Sequence, residues 1–313
     1  MWSHLVRAMA IAAILGGVGN ATPFGQQVLK WKLQPGQRLN YVVQQDMKIS
    51  IDYNGQEIGS SMRQIIDTTW LANGVDRLGN IRVAQRINRI QIRLDGTPAG
   101  RIEFDTAAKG QADPKLQAMK TVFDQLLATE INTTMGPTGK IVKIDVPQKL
   151  LDTLKNAPGV GAAGFTEESL KQMFNQSGVV MPKTPINVGG KWTAANEVTM
   201  PAGRMVFNSM LTYRGLQDFE GRRYARIDLK PSVQMVPDPE SPVQVKVKSA
   251  AGQGAVLFDY ERGNIKRTKM TSRIVMTVTQ QGESIDQNID QTVEMRLVPQ
   301  KMVRLPGGPT RGE

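Results

Sequence analysis

Apolar and polar residues alternate with a period of two along most of this chain. Between positions 39 and 53, Leu39, Tyr41, Val43, Met47, Ile49 and Ile51 take odd positions, while Asn40, Gln44, Asp46, Lys48, Ser50 and Asp52 take even ones. Successive side chains of a strand point to opposite faces, so the pattern predicts one strand with an apolar and a wet face. At about 3.3 Å per residue it would run roughly 50 Å, which suits a strongly curved sheet or a strand shared by two sheets. The segment 285–297 repeats the pattern: Ile285, Ile289, Val293, Met295 and Leu297 share one face, with Gln287 and Gln291 interrupting it. Weaker alternation predicts strands over 62–71, 204–214, 223–230, 243–248, 254–260 and 265–279. In 81–94 the phase changes, from Ile81, Val83 and Ile87 on odd positions to Ile90, Ile92 and Leu94 on even ones. One extra residue near Asn88-Arg89, a β-bulge, accounts for the switch.

Turn signals punctuate these runs at Asn54-Gly55, Asn73-Gly74, Gly79-Asn80, Asp95-Gly96, Gly139, Gly221, Gly263-Asn264 and Gly282. Their spacing is that of long antiparallel meanders. Strands do not alternate with helices, which argues against a parallel α/β sheet.

Helical periodicity is confined to the middle. Asp113-Pro114 caps a stripe of Leu116, Met119, Val122, Phe123, Leu126 and Leu127, predicting a helix over about 114–130. Pro147 opens a short helix to about Leu154, and Thr166-Glu167-Glu168 caps a third over about 167–175. Asn156 to Gly164 is a Gly/Ala/Pro connector, and Pro299 to Glu313 is a basic Pro/Gly-rich tail expected to be disordered.

The expected fold class is therefore α+β and β-rich: a long curved antiparallel sheet, or two related half-barrel-like units, packed on a few central helices. The expected organisation is a first β unit over 22–145, a helical connector over 146–186 and a second β unit over 187–298. The similarity of Gly139–Asp145 to Gly263–Lys269, each a turn followed by a strand, suggests that the two units are related.

The first 21 residues read as an export signal. Arg7 supplies a positive start, Ala8 to Val18 is an apolar run too short to span a bilayer, and Gly19-Asn20-Ala21 places cleavage after Ala21. No cysteine follows to carry a lipid anchor, and no later stretch is long and apolar enough to cross a membrane. The expected location is periplasmic or extracellular.

Composition then narrows the chemistry. The single histidine is His4, inside the signal, and there is no cysteine. The processed chain thus has no imidazole base, no thiolate, and no zinc site built on His or Cys. Neither a G-x-S-x-G elbow nor a P-loop is present. Asp286, Asp290 and Glu294 share one strand face, which reads as a solvated ladder paired with cations rather than as two catalytic carboxylates across a cleft. Asp238-Pro-Glu240 and Asp52–Gly55 lack the remaining ligands of a calcium loop and read as turns. Gly159 to Gly164 spells GVGAAG, but no strand precedes it and no acid lies near 184, so a small-residue hinge or lid is the better reading. No catalytic residue, cofactor or metal is expected.

The formal charge is +11, with basic runs at Arg82–Arg93, Arg222–Lys230 and Arg262–Arg273. A basic surface favours anionic partners such as an envelope surface or acidic polysaccharide. Nucleic acid is not expected, because aromatics are only 5% of residues and no recognition motif occurs.

Three segments are distinctive: Met181-Pro-Lys-Thr-Pro-Ile-Asn-Val-Gly-Gly-Lys-Trp192, Leu33-Gln-Pro-Gly-Gln-Arg-Leu-Asn-Tyr41 and Phe258-Asp-Tyr-Glu-Arg-Gly-Asn-Ile265. Together they resemble an uncharacterised family of exported bacterial proteins known as domain of unknown function 6263. The resemblance covers most of the processed chain and brings no catalytic residue with it. The layout is also similar to periplasmic lipoprotein carriers of the LolA/LppX type, an analogy of architecture alone.

The leading expectation is a non-enzymatic exported protein that holds an apolar or amphiphilic, lipid-like ligand between sheet and helices. Tyr41, Trp70, Phe123, Leu126 and Phe258 are the candidate lining residues. Sixteen methionines, many on apolar faces, suit an adaptable cavity as well as an ordinary core. The alternatives are an envelope scaffold with a filled core and a carboxylate-dependent hydrolase.

Overall fold

The computed structural model describes residues 26–53, 56–97, 100–108, 117–156, 179–200 and 202–299. The first half contributes β1 (Arg38–Tyr53), β2 (Gln56–Val75), β3 (Ile81–Thr97), β4 (Gly100–Asp105), α1 (Gln117–Ala128), β5 (Glu130–Met135), β6 (Ile141–Asp145) and α2 (Gln148–Asn156). The second half contributes β7 (Lys191–Met200), β8 (Gly203–Phe219), β9 (Arg222–Pro237), β10 (Val243–Asp259), β11 (Asn264–Gln280) and β12 (Glu283–Val298).

All of these strands join one antiparallel sheet in the order β6-β5-β3-β2-β1-β12-β11-β10-β9-β8-β7, with β4 beside β3. The β-rich α+β class expected from the pattern is the observed one, with a single large curved open sheet. The ranges 22–145 and 187–298 supply β1–β6 and β7–β12, and the β1–β12 ladder, from Asn40 opposite Val298 to Asp52 opposite Asp286, joins them. The chain between β6 and β7 therefore crosses from one edge of the sheet to the other. Gly139 and Gly263 do each precede a strand, but β6 lies at an edge and β11 inside the sheet.

Register confirms the bulge: Asp67 opposes Arg89 and Thr68 opposes Ile87, leaving Asn88 extra. Asn73-Gly74, expected as a turn, instead lies inside β2 at a second register shift, because a glycine in a strand tolerates the kink. The strands expected over 243–248 and 254–260 are one strand, β10. Ala250, Gly252 and Gly254 keep their ladder partners Ile274, Ser272 and Met270, so the small residues do not break it. The helix expected over 114–130 is α1 and the short one is α2. The signal 1–21, the GVGAAG run, the helix over 167–175 and the tail from 300 onward lie outside the described residues.

The long strands divide into two halves. In the closed half, near Tyr41, Ile227 and Phe258, the apolar face is covered by residues 29–33, α2 and the 179–181 segment, whose Leu29, Trp31, Leu33, Leu150 and Met181 are buried in one core with the sheet. Trp31 stacks on Trp70 at 6.0 Å and meets Phe258 edge-on at 6.0 Å. Two turns fix this segment from either side. Trp31 N–H donates to Pro137 at 2.9 Å, and Lys32 N–H donates to Gly263 at 3.0 Å. Both turns need glycine: Gly139 and Gly263 have φ of 89° and 65°, and an added Cβ would lie 2.4 Å from Trp31 Nε1 or 2.3 Å from Lys32 N.

Candidate ligand-binding face

Beyond Val43 the same strands run on into an open half with two unlike faces. The face continuous with the core carries Val43, Met47, Ile49 and Ile51 of β1. Register places Ile66 and Met62 of β2 beside them, with Val293 and Ile289 of β12 on the other side. It continues through Ile274, Met276 and Val278 of β11, Val245 and Val247 of β10, and Val233, Met235, Phe207 and Met205 of β9 and β8. All of these are half-buried, whereas Tyr41 and Phe258 on the same face of the closed half are fully buried. Neighbouring side chains cover them laterally and water reaches them from above. Across β1, β2 and β8–β12 no ionisable residue occupies this face between those positions.

The opposite face is charged. A cleft of about 900 Å³ opens on it across β3, β2, β1, β12, β11 and β10. Arg93 and Asp95 form one wall, and Leu94 between them faces away. Its charges largely satisfy one another: Arg63 Nε lies 2.5 Å from Asp46, Arg93 Nε 2.9 Å from Asp95, and Arg101 Nε 3.2 Å from Asp95. Exposed pairs of this kind add little stability but keep the face wet and evenly charged. Burial opposes ionisation of Asp46, yet its hydrogen bonds from Arg63 and Gln44 hold its carboxyl below the ordinary range. Next to the cleft, Arg89 donates to both oxygens of Asp105, at 2.9 and 2.6 Å, and holds that carboxyl well below the usual value.

Asp286, Asp290 and Glu294 of β12 are also partnered. Asp286 accepts from Lys248 at 2.7 Å and from Thr277 at 2.7 Å, and these hydrogen bonds lower its pKa. Arg273 stands 3.9 Å from Asp290, and Arg267 stands 3.1 Å from Glu294. A general acid needs a raised pKa, whereas every carboxyl shift resolved among the described residues is downward. Among those residues no group of three or more His, Cys, Asp or Glu could hold a metal ion. Asp238 closes a turn by accepting from Glu240 N–H at 3.0 Å.

The five candidate lining residues fall in two places. Tyr41 and Phe258 are fully buried, and Trp70 and Leu126 pack against the same core. Tyr41 donates to the Ile265 carbonyl at 3.1 Å and meets Trp70 edge-on at 5.2 Å, and its burial pushes the hydroxyl pKa far up. Phe123 stands apart, against Phe104 of β4 at 4.9 Å. Trp31 fills the space between Trp70 and Phe258, so these aromatics line a packed core. The uncovered residues, such as Met47, Ile49 and Ile274, were visible in the sequence only as strand alternation. Nothing in a one-dimensional pattern says which half of a long strand will be roofed.

The sequence pattern of a family described as "Family of unknown function (DUF6263)" matches residues 79–288, more than half of the chain. The chain belongs to this family. The matched span contains Met181–Trp192 and Phe258–Ile265, while Leu33–Tyr41 lies outside it. No curated protein sequence matches this chain.

Among solved structures, the chain is similar to lipovitellin in a study of its lipid–protein interactions. The identity is 11% over 86% of this chain and 26% of that one, at a TM-score of 0.48, so it spans about a quarter of that protein. It is similar to an outer membrane channel from Pseudomonas putida F1, at 7% identity over 86% of this chain and 97% of that one, TM-score 0.25. It is also similar to an outer membrane lipoprotein-sorting protein domain from Vibrio parahaemolyticus, at 9% identity over 85% of this chain and 86% of that one, TM-score 0.14. No described helix is long and apolar enough to cross a membrane.

Proposed function

We propose that this protein is exported and non-enzymatic, and that it binds an apolar or amphiphilic, lipid-like molecule on the uncovered apolar face of its open half. The observation that carries the reading is the contrast between faces. Aliphatic side chains run across β10–β12, β1 and β2 with water-accessible surface, while the reverse side of those strands is charged. A ligand that covers such a surface gains roughly 25 cal/mol per Å² of apolar area removed from water. Methionines at 47, 62, 205, 235 and 276 let the surface adapt to a flexible chain. The non-enzymatic part of the reading is supported by Asp286, Asp290 and Glu294 of β12, each set against a basic side chain. The excess of basic residues, +11 in formal charge, favours an anionic envelope surface as the setting.

The test is to purify the protein from its own cells, in the form that accumulates there, extract it with organic solvent and identify bound molecules by mass spectrometry. A lipid at near-stoichiometric amount supports the reading. A clean extract under gentle purification, with no displacement of a fluorescent acyl probe by any lipid, overturns it.

A further inference from the structure

Short of Glu283 at the tip of β12, the open apolar face carries no ionisable side chain but does carry hydrogen-bonding groups, and four of these gather in one place. Gln45 of β1 lies directly opposite Gln64 of β2. One residue pair further out, Met47 lies opposite Gln291 of β12, and Gln291 lies opposite Ser272 of β11. Gln45 and Gln291 are thus diagonal neighbours, within reach of long side chains across a ladder. The four residues form a band over the adjacent strands β2, β1, β12 and β11. Aliphatic residues flank it on both sides: Val43, Ile66 and Val293 toward the core, and Ile49, Ile289 and Ile274 toward the tips.

All four are half-buried, and among the described residues none of their side chains makes a hydrogen bond. The contrast with the other face is sharp, where Gln44 donates to Asp46 at 2.7 Å and Gln91 donates to Asp105 at 2.9 Å. Of the other polar side chains on this face of the open half, Ser60 lies opposite Ile49, Gln287 opposite Ile51 and Thr268 opposite Met295, each standing singly, while Gln280 and Glu283 face each other at the tips of β11 and β12. Carboxamides offer both donors and acceptors and carry no charge. When an apolar chain lies across the face and displaces water, these amides lose their solvent partners. The ligand must replace them or bind more weakly. An ionised headgroup placed there would be desolvated with no opposite charge to meet it.

On the reading of the face as a lipid-like binding surface, we infer that the ligand is a neutral amphiphile: an acyl chain whose uncharged ester, amide or hydroxyl group sits on Gln45, Gln64, Gln291 and Ser272. Aliphatic residues on both sides of the band take the apolar parts. A fatty-acid anion of the same chain is the disfavoured ligand.

The experiment uses the purified full chain with a fluorescent acyl probe, displaced in parallel by monooleoylglycerol and by oleate at pH 8. The neutral lipid is expected to displace the probe at about one tenth of the oleate concentration. The double variant Gln64→Leu/Gln291→Leu is expected to lose most of this preference, about threefold to tenfold per amide, read as the ratio of the two displacing concentrations within each protein. Because two added leucines on an open face invite aggregation, Gln64→Asn/Gln291→Asn is measured beside it. The shorter amides keep the polarity and draw back from the ligand, and they are expected to lose the preference as well. Equal displacement by both lipids, or a preference that survives in both variants, overturns the neutral-amphiphile inference and leaves the lipid reading standing. Failure of the chain to bind the probe or either lipid overturns the lipid reading itself.

Discussion

Tyr41 and Ile49 stand on the same face of the same strand, in the same alternating pattern, and in different surroundings. Tyr41 is fully buried, with its hydroxyl on the Ile265 carbonyl and its ring on Trp70. Ile49 has lateral neighbours, is only half-buried and has no covering layer above it. The strand does not change between them; the covering layer does. Residues 29–33, α2 and the 179–181 segment roof one half of the sheet, and that roof turns an amphipathic strand into core. Without it the same alternation leaves an apolar surface facing water, and an apolar surface of this extent is the kind of feature that marks an interaction site.

The largest expected effect tests the roof. Trp31→Ala removes the ring wedged between Trp70 and Phe258 and is expected to destabilise the protein by about 3–5 kcal/mol in urea unfolding. Ile49→Ala in the open half is expected to lose about 1 kcal/mol or less, since its side chain is already partly exposed to water. Equal losses at the two sites would erase the distinction between the halves. Next, Gly263→Ala forces a Cβ into the Lys32 backbone at a positive φ and is expected to cost more than about 1 kcal/mol. Amide exchange of the 29–33 segment should accelerate in that variant, while the tips of β1 and β2 stay as they are. A third expectation reverses the roles of the halves. Ile49→Lys is expected to leave the unfolding midpoint nearly in place and to abolish binding of an acyl probe, whereas Trp31→Phe should keep the probe bound.

The smallest effect concerns pH and belongs to the charged face. Arg89 holds the Asp105 carboxyl below its ordinary value, so the pair stabilises the fold above the ordinary carboxylate pKa of about 3.9. That contribution fades as pH falls through the lower folded value. The difference in stability between the wild type and Asp105→Asn should therefore be full at pH 6 and shrink below about pH 4. A difference that grows on acidification would contradict the pairing.

Much of the fold was legible because its signals are local. The alternation at 39–53, the phase switch at Asn88 and the turn glycines 139, 221, 263 and 282 depend only on neighbouring residues, and each has its structural counterpart. Asn73-Gly74 misled because the same dipeptide serves a hairpin and a bulge, and only the partner strand distinguishes them. The site was less legible. Tyr41, Trp70 and Phe258 were attractive as large apolar residues, yet size draws side chains into cores as readily as around ligands. Gln291 was visible as an interruption in an apolar face, but its proximity to Gln45 and Gln64 depends on a register that spans the two ends of the chain.

The sequence by itself determined the class of structure and the range of chemistry. Period-two patterning imposes strands with two unlike faces, and a chain whose only histidine is His4, with no cysteine, leaves carboxylates, amides and apolar surface as its means of function. Tertiary structure alone decided that β1 meets β12 and so closes all the strands into one sheet, and that a few residues around Trp31 roof half of it. Those outcomes rest on contacts between segments more than a hundred residues apart, such as Tyr41 with Ile265, which no local pattern encodes.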